Sequence, residues 1–321
     1  MWQRFSRLAS AREAIVFGVA IGLFVLFTSI SEGRFASDTV VDLIATSASE
    51  VGIIALGVAL LMICGEFDLS VGSVSAVGAL IVVSLSEQLG LNPFLAMAIA
   101  VGGGMVAGAV NGLVTVKFGL PSFIVTLGTL MMWRGVIYVT TEGVILPFPV
   151  EKAHPAFYSV LQGDVGVVSV PLIWVIVIAI MLVLLLNFHR FGNHVFATGG
   201  NREAARAMGI NVNKTKVICF MIVGGLAAFA GAMQVIRIRG FYALQGTGME
   251  LMAIAAVVVG GTSLFGGTGT ILGAGLGVLI ITFLQFGLVT ARVPGFWYHL
   301  ILGIVIVAVV AINKVLEQRR S

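Results

Sequence analysis

The 321-residue chain is 59% apolar by the AVILMFWYC count and only 10% charged, with a mean hydropathy of +1.11. An ordinary soluble domain carries about 25% charged residues and needs a polar shell, so the composition excludes a soluble enzyme, a disordered chain and a nucleic-acid-binding module. The net charge of +4 reads as a loop-orientation signal of a membrane protein rather than a nucleic-acid footprint.

The chain opens on Arg4, Arg7 and Arg12, then an apolar run over 14–30. That run is too long for a typical signal-peptide core and no A-x-A pattern follows it, so it is expected to remain as the first span. Further runs follow at 40–64, 69–85, 93–116 and 122–141, and then at 171–187, 216–236, 249–260, 270–290 and 296–312. A span takes about 20 apolar residues, so the expectation is an all-α polytopic membrane protein, one domain over 1–321 with about ten transmembrane helices. The eighth run is short. The second is long enough to be tilted or broken.

Two connections are long. Residues 142–170 contain Pro147, Pro149 and Pro155 and are expected to carry a short surface helix. Residues 188–215 hold the densest charge. With the N-terminus in the cytoplasm, the inner segments collect twelve cations: Arg4, Arg7, Arg12, Lys117, Arg190, Arg202, Arg206, Lys214, Lys216, Lys314, Arg319 and Arg320. The outer loops hold five, Arg34, Lys152, Arg237, Arg239 and Arg292, and Arg134 falls inside a span. This bias puts both termini and the 188–215 loop in the cytoplasm and the 142–170 loop outside. Cys64 and Cys219 both lie in apolar runs and predict small buried side chains, not a disulfide framework.

Glycine is abundant, with 41 residues, and its clusters at 102–104, 108, 112, 224–225, 273, 275 and 277 predict close helix packing. A faint internal echo relates 65–72 to 260–267 at a spacing of 195 residues, as in transporters built from repeats.

No Walker A, H-E-x-x-H or G-x-S-x-G pattern occurs. His154, His189, His194 and His299 are scattered and form no metal set. Ionisable residues within spans are costly and face protein or water. Asp42 reads as interfacial. Glu50 sits in a polar stretch with Thr46, Ser47 and Ser49, and either lines a water path, pairs with Arg134 or bonds a neighbouring helix. Asp68 is placed to cap the helix that follows it. Glu250 suits the first turn of a helix. Thr46, Ser47, Ser49, Glu50, Asp68, Arg134 and Glu250 are therefore the candidate pathway residues.

The strongest local signal runs from Gly199 to Asn211. Asn201 is an N-cap, Glu203 a first-turn acid and Gly209 a C′ stop, which predicts a two-turn helix with Ala204, Ala205, Ala207 and Met208 as a contact surface. It either lies on lipid or docks a cytoplasmic partner.

Glu203-Ala204-Ala205-x-x-x-Gly209 resembles the E-A-A-x-x-x-G loop of ABC importer permeases. The likeness extends through Gly65-Glu66-Phe67-Asp68-Leu69-Ser70-Val71-Gly72-Ser73, Thr126-Leu127-Gly128-Thr129 with Arg134-Gly135, Gly199-Gly200-Asn201, Gly209-Ile210-Asn211-Val212, and the block from Gly246 to Ser263. It narrows to permeases of bacterial sugar importers of the ribose, xylose and galactose kind, related members carrying quorum-sensing furanones. Met252 stands where that family usually has an acid. The resemblance implies an inner-membrane permease that pairs with a second copy, identical or not. It implies a coupling helix at Asn201, Glu203, Ala204, Ala205, Met208 and Gly209 that docks a separate ABC ATPase subunit, and an extracytoplasmic sugar-binding protein outside. No cofactor or metal is expected. The rival reading is an ion-coupled secondary transporter with Glu50, Arg134 and Glu250 as a relay.

Overall fold

A computed structural model describes residues 2–166 and 168–318. Arg319 and Arg320 lie outside the described residues, as do the side chains of Arg4, Arg7, Arg12, His299 and Lys314. Helices dominate, as they must where backbone amides have no water to bond. They are α1 (Trp2–Ile30), α2 (Asp38–Ile63), α3 (Val71–Val83), α4 (Pro93–Phe118), α5 (Ser122–Thr141), α6 (Val150–Ala153), α7 (Pro155–Gln162), α8 (Val170–Asn187), α9 (Arg190–Gly200), α10 (Arg202–Ala207), α11 (Val212–Ile238), α12 (Met249–Val259), α13 (Ile271–Thr290) and α14 (Trp297–Gln318). The fold is an all-α polytopic bundle.

All ten apolar runs form helices, but they are not equivalent. Among the described residues, eight helices are long and apolar enough to cross a membrane: α1 to α5, with α3 prolonged through a π turn to Gln88, then α8, α11 and α13. The helix from the eighth run, α12, has only 11 residues, too few to span about 30 Å of hydrocarbon at 1.5 Å per residue.

The bundle has two distinct ends. At one end lie α9 and α10, between α8 and α11. At the other end the 142–170 connection is folded down. It carries two short helices, α6 and α7, where one was expected. Its β1 (Leu146–Pro147) pairs antiparallel with β4 (Gly240–Phe241), and β2 (Asp164–Val165) pairs with β3 (Val168–Ser169). Phe148, Val150 and Phe157 are buried there against Val82, Val83 and Ile236, and Gln162 donates to the Met233 carbonyl at 2.8 Å.

The centre of the bundle is α2, the most buried of the spans. From Ile53 to Cys64 its side chains are fully enclosed by α8, α11, α12 and α13. By contrast α1 and α5 expose rows of large apolar residues such as Ile15, Val25, Met131 and Val139, the surface that suits lipid tails. Helix α11 packs on α4 backbone to backbone: a Cβ on Gly104 would stand 2.3 Å from the Gly224 carbonyl oxygen, so glycine is required for that approach.

The internal echo has a structural counterpart, shifted by one residue. α2 ends with Gly65 in the left-handed region at φ 83°, where Gly65 N donates to Met62 O and Glu66 N to Leu61 O. α12 ends with Gly261 at φ 89°, where Gly261 N donates to Val258 O and Thr262 N to Val257 O. Both are Schellman caps, and the matched positions are 196 residues apart rather than 195.

Candidate functional site

The predicted two-turn helix is present as α10. The Asn201 side-chain oxygen accepts from Glu203 N and Ala204 N, both at 3.0 Å. Its far end closes at Gly209, φ 81°, with Gly209 N donating to Arg206 O and Ile210 N to Ala205 O. One residue of the helix, Ala205, is fully buried and seats it on the bundle. Glu203, Ala204, Arg206 and Ala207 are exposed, and Met208 is 68% exposed. The helix thus presents an exposed thioether beside small side chains, with a single residue packed on the bundle. The helix before it, α9, stands inside a segment that reads as a charged loop; His189 Nδ1 caps it by accepting from Phe191 N at 3.1 Å.

Three glycine-rich stretches that are far apart in sequence meet beneath α10. Gly199 at the end of α9 lies so close to the end of α2 that a Cβ on it would stand 1.9 Å from the Ile63 carbonyl oxygen and 2.6 Å from Gly267 N. That same Ile63 oxygen accepts from Gly267 N at 2.9 Å. At Gly199, Ile63 and Gly267 the end of α2, the end of α9 and the α12–α13 loop thus touch backbone to backbone.

Beside this junction lies an ion cluster that inspection of the sequence misses. Glu66, 5% exposed, takes both Lys216 Nζ at 2.5 Å and Arg202 Nη2 at 2.9 Å on one carboxylate oxygen. Arg202 Nη2 also donates to Gly65 O at 3.1 Å. Lys216 belongs to the buried face of α11 and not to a cytoplasmic loop.

The candidate pathway residues separate into two groups. Thr46, Ser47, Ser49 and Glu50 lie on α2, with Thr46, Ser49 and Glu50 buried and Ser47 half-buried. Ser49 Oγ spends its proton on Ala45 O at 2.6 Å. The partner of Glu50 is Arg237 and not Arg134: Arg237 Nε and Nη2 bond the two Glu50 oxygens at 2.6 and 2.8 Å. Arg237, which reads as a loop cation, occupies the last turn of α11, and a bidentate fork of this kind is the strongest ion pair available to a buried carboxylate. Asp42 is exposed on the second turn of α2.

Asp68, Arg134 and Glu250 form the second group, around the starts of α3 and α12. Asp68 accepts from Ser70 N at 2.7 Å, Ser70 Oγ at 2.6 Å and Asn111 Nδ2 at 3.2 Å, the local turn that launches α3. Arg134 Nη1 donates to the carbonyls of Ala243 and Gln245 at 2.7 and 2.9 Å. It holds in place a non-helical stretch, 242–248, that returns from β4 into the bundle. Such backbone is tolerated at membrane depth only where protein or water satisfies it. Gly246, at φ 74°, presses on Gly72, where a Cβ would stand 2.2 Å from the Gly72 oxygen. Glu250 accepts from Gly248 N at 3.2 Å, capping its own helix as a first-turn acid does. Two interrupted helices therefore begin against one another, and buried Ser73 Oγ, Asn111 Oδ1 and Gln245 Oε1 there have no hydrogen-bond partner.

A family model described as "Branched-chain amino acid transport system / permease component" matches residues 40–310. The chain belongs to this permease family. The inner membrane ABC transporter permease protein YjfF of Escherichia coli is 34% identical over 315 residues, covering 94% of both chains. The autoinducer 2 import system permease protein LsrC of Klebsiella pneumoniae is 38% identical over 319 residues, covering 97% of this chain and 89% of that protein. LsrC of Photorhabdus luminescens is 33% identical over 300 residues, covering 93% and 88%. No solved structure matches. The chain is thus a multi-pass permease of the ABC-importer family, a transport component.

Proposed function

We propose that the chain forms half of the translocation pathway of an ATP-driven importer for a small, uncharged polar solute of the monosaccharide class, ribose, xylose or galactose being the model cargoes. A second permease copy completes the pathway. A separate ABC ATPase docks on α10 from the cytoplasm, where both termini lie, and a sugar-binding protein delivers solute at the end carrying α6, α7 and β1. The observation that carries the reading is α10 itself, a helix capped at both ends, anchored by one buried alanine and offering Met208 to a partner. Its motion would reach the bundle through the glycine junction under it.

The cargo class follows from charge. Among the pathway candidates no cation is free, since Arg237 grips Glu50 and Arg134 is committed to two carbonyls; the carboxylates of Asp68 and Glu250 are taken up by local N–H and O–H donors, beside the hydroxyl and amide groups of Ser73, Asn111 and Gln245. This argues for a neutral polyol-like molecule over a zwitterionic amino acid. The relatives named for autoinducer 2 import make that compound the next cargo to try. The Glu50–Arg237 pair and the commitment of Arg134 to carbonyls disfavour a proton relay through Glu50, Arg134 and Glu250.

Reconstitution with an ATPase subunit and a binding protein tests the reading. Uptake of labelled monosaccharide that needs ATP, and that Glu203→Lys or a bulky residue at Gly209 uncouples from hydrolysis, is the expected result. Uptake by the permease alone on a proton gradient would establish the secondary-transporter reading instead.

A further inference from the structure

The cluster around Glu66 lies off the exposed face of α10 and touches none of the candidate pathway residues, yet it joins three parts of the chain. Arg202 is the first residue of α10, Glu66 follows the Schellman cap of α2, Lys216 is in the second turn of α11, and Gly65 O belongs to the α2–α3 turn. We propose that Glu66 is a positioning residue that transmits the movement of α10 into α2 and α11, through a carboxylate oxygen shared between Arg202 and Lys216. This rests on the importer reading above.

The two arms differ. The Lys216 side chain is 7% exposed and its ammonium is enclosed with the carboxylate, so in a poorly screened site this arm is fixed. The Arg202 side chain is 50% exposed. One carboxylate facing two cations leaves an excess positive charge, and the half-solvated guanidinium is the side on which it is most readily stabilised. The Arg202 arm is thus the one that a displacement of α10 can load or release. A displacement of α10 is delivered at Glu66 to the end of α2, whose last carbonyl, on Ile63, already holds Gly267. The covalent route through Asn201 and α9 reaches the same junction, but it carries no tie to α11 at Lys216.

The complete complex in proteoliposomes, assayed for solute imported per ATP hydrolysed, separates the two routes. Glu66→Gln combined with Lys216→Gln removes both buried charges together and so leaves neither stranded. Arg202→Gln cuts only the half-exposed arm and tests the same point if the double variant fails to insert. In both, the ATPase subunit is expected to co-purify at the unmodified yield while import per ATP falls about tenfold, the scale of one charged hydrogen bond. Arg202→Lys, which restores a donor cation, is expected to return the ratio to within about twofold. An unchanged ratio in Arg202→Gln would overturn the proposal, as would loss of co-purification with a normal ratio in the complex that remains. Failure of the unmodified chain to co-purify with an ABC ATPase would instead overturn the importer reading.

Discussion

Glu50 and Glu66 are both buried acids of the α2 region, and they are answered in opposite ways. Glu50 has one cation, Arg237, gripping both its oxygens. Glu66 has two cations on a single oxygen, one of them half in solvent. The first arrangement is saturated and braces α2 against α11 near the folded-down connection. The second has an open side, at the end where α10 is exposed. Within one helix pair, then, one ion site suits holding still and the other suits being acted upon.

Arg237→Gln breaks the comparison most severely. It strands the Glu50 carboxylate in the interior, and a drop in unfolding free energy of about 3–5 kcal/mol is expected, read as a lower melting temperature of the detergent-solubilised protein. Gly199→Ala follows, because its Cβ would drive into Ile63 O; about 1–3 kcal/mol of overpacking is expected, with loss of monodisperse protein in size-exclusion chromatography. Asn201→Ala removes the N-cap of α10 and costs about 1 kcal/mol locally. Hydrogen exchange should quicken at the Glu203 and Ala204 amides while the global melting temperature holds. Met208→Ala sharpens the contrast from the other side. Thermal stability stays level, since the side chain is exposed, and affinity for the ATPase subunit weakens about fivefold, the effect of an interface contact of about 1 kcal/mol.

What the sequence made legible was whatever is local. Asn201 and Gly209 bracket α10 because capping rules act within one turn, and the ten apolar runs became helices because hydropathy alone demands them. Pairings across the bundle were not legible. Arg237 is 187 residues from Glu50, so nothing near Glu50 hints at it, and Arg134 is the nearer guess only in sequence. Lys216 follows Lys214 at a loop edge and so reads as a solvated charge, although burial of the first turns of α11 encloses it. The stretch 242–248 looks like a plain connection because the Arg134 guanidinium that holds it in the bundle comes from more than a hundred residues upstream. Helix α9 is obscured by its mixture of glycine, histidine and arginine.

The meeting of Gly199, Ile63 and Gly267 has a mechanical corollary. Most joints between helices are cushioned by side chains that can change rotamer and so soak up small displacements. Here main chain bears on main chain, a linkage without backlash. Small shifts imposed at the surface should therefore arrive at the centre of the protein undiminished, and lengthening the chain at this joint, even by one residue, should disable it.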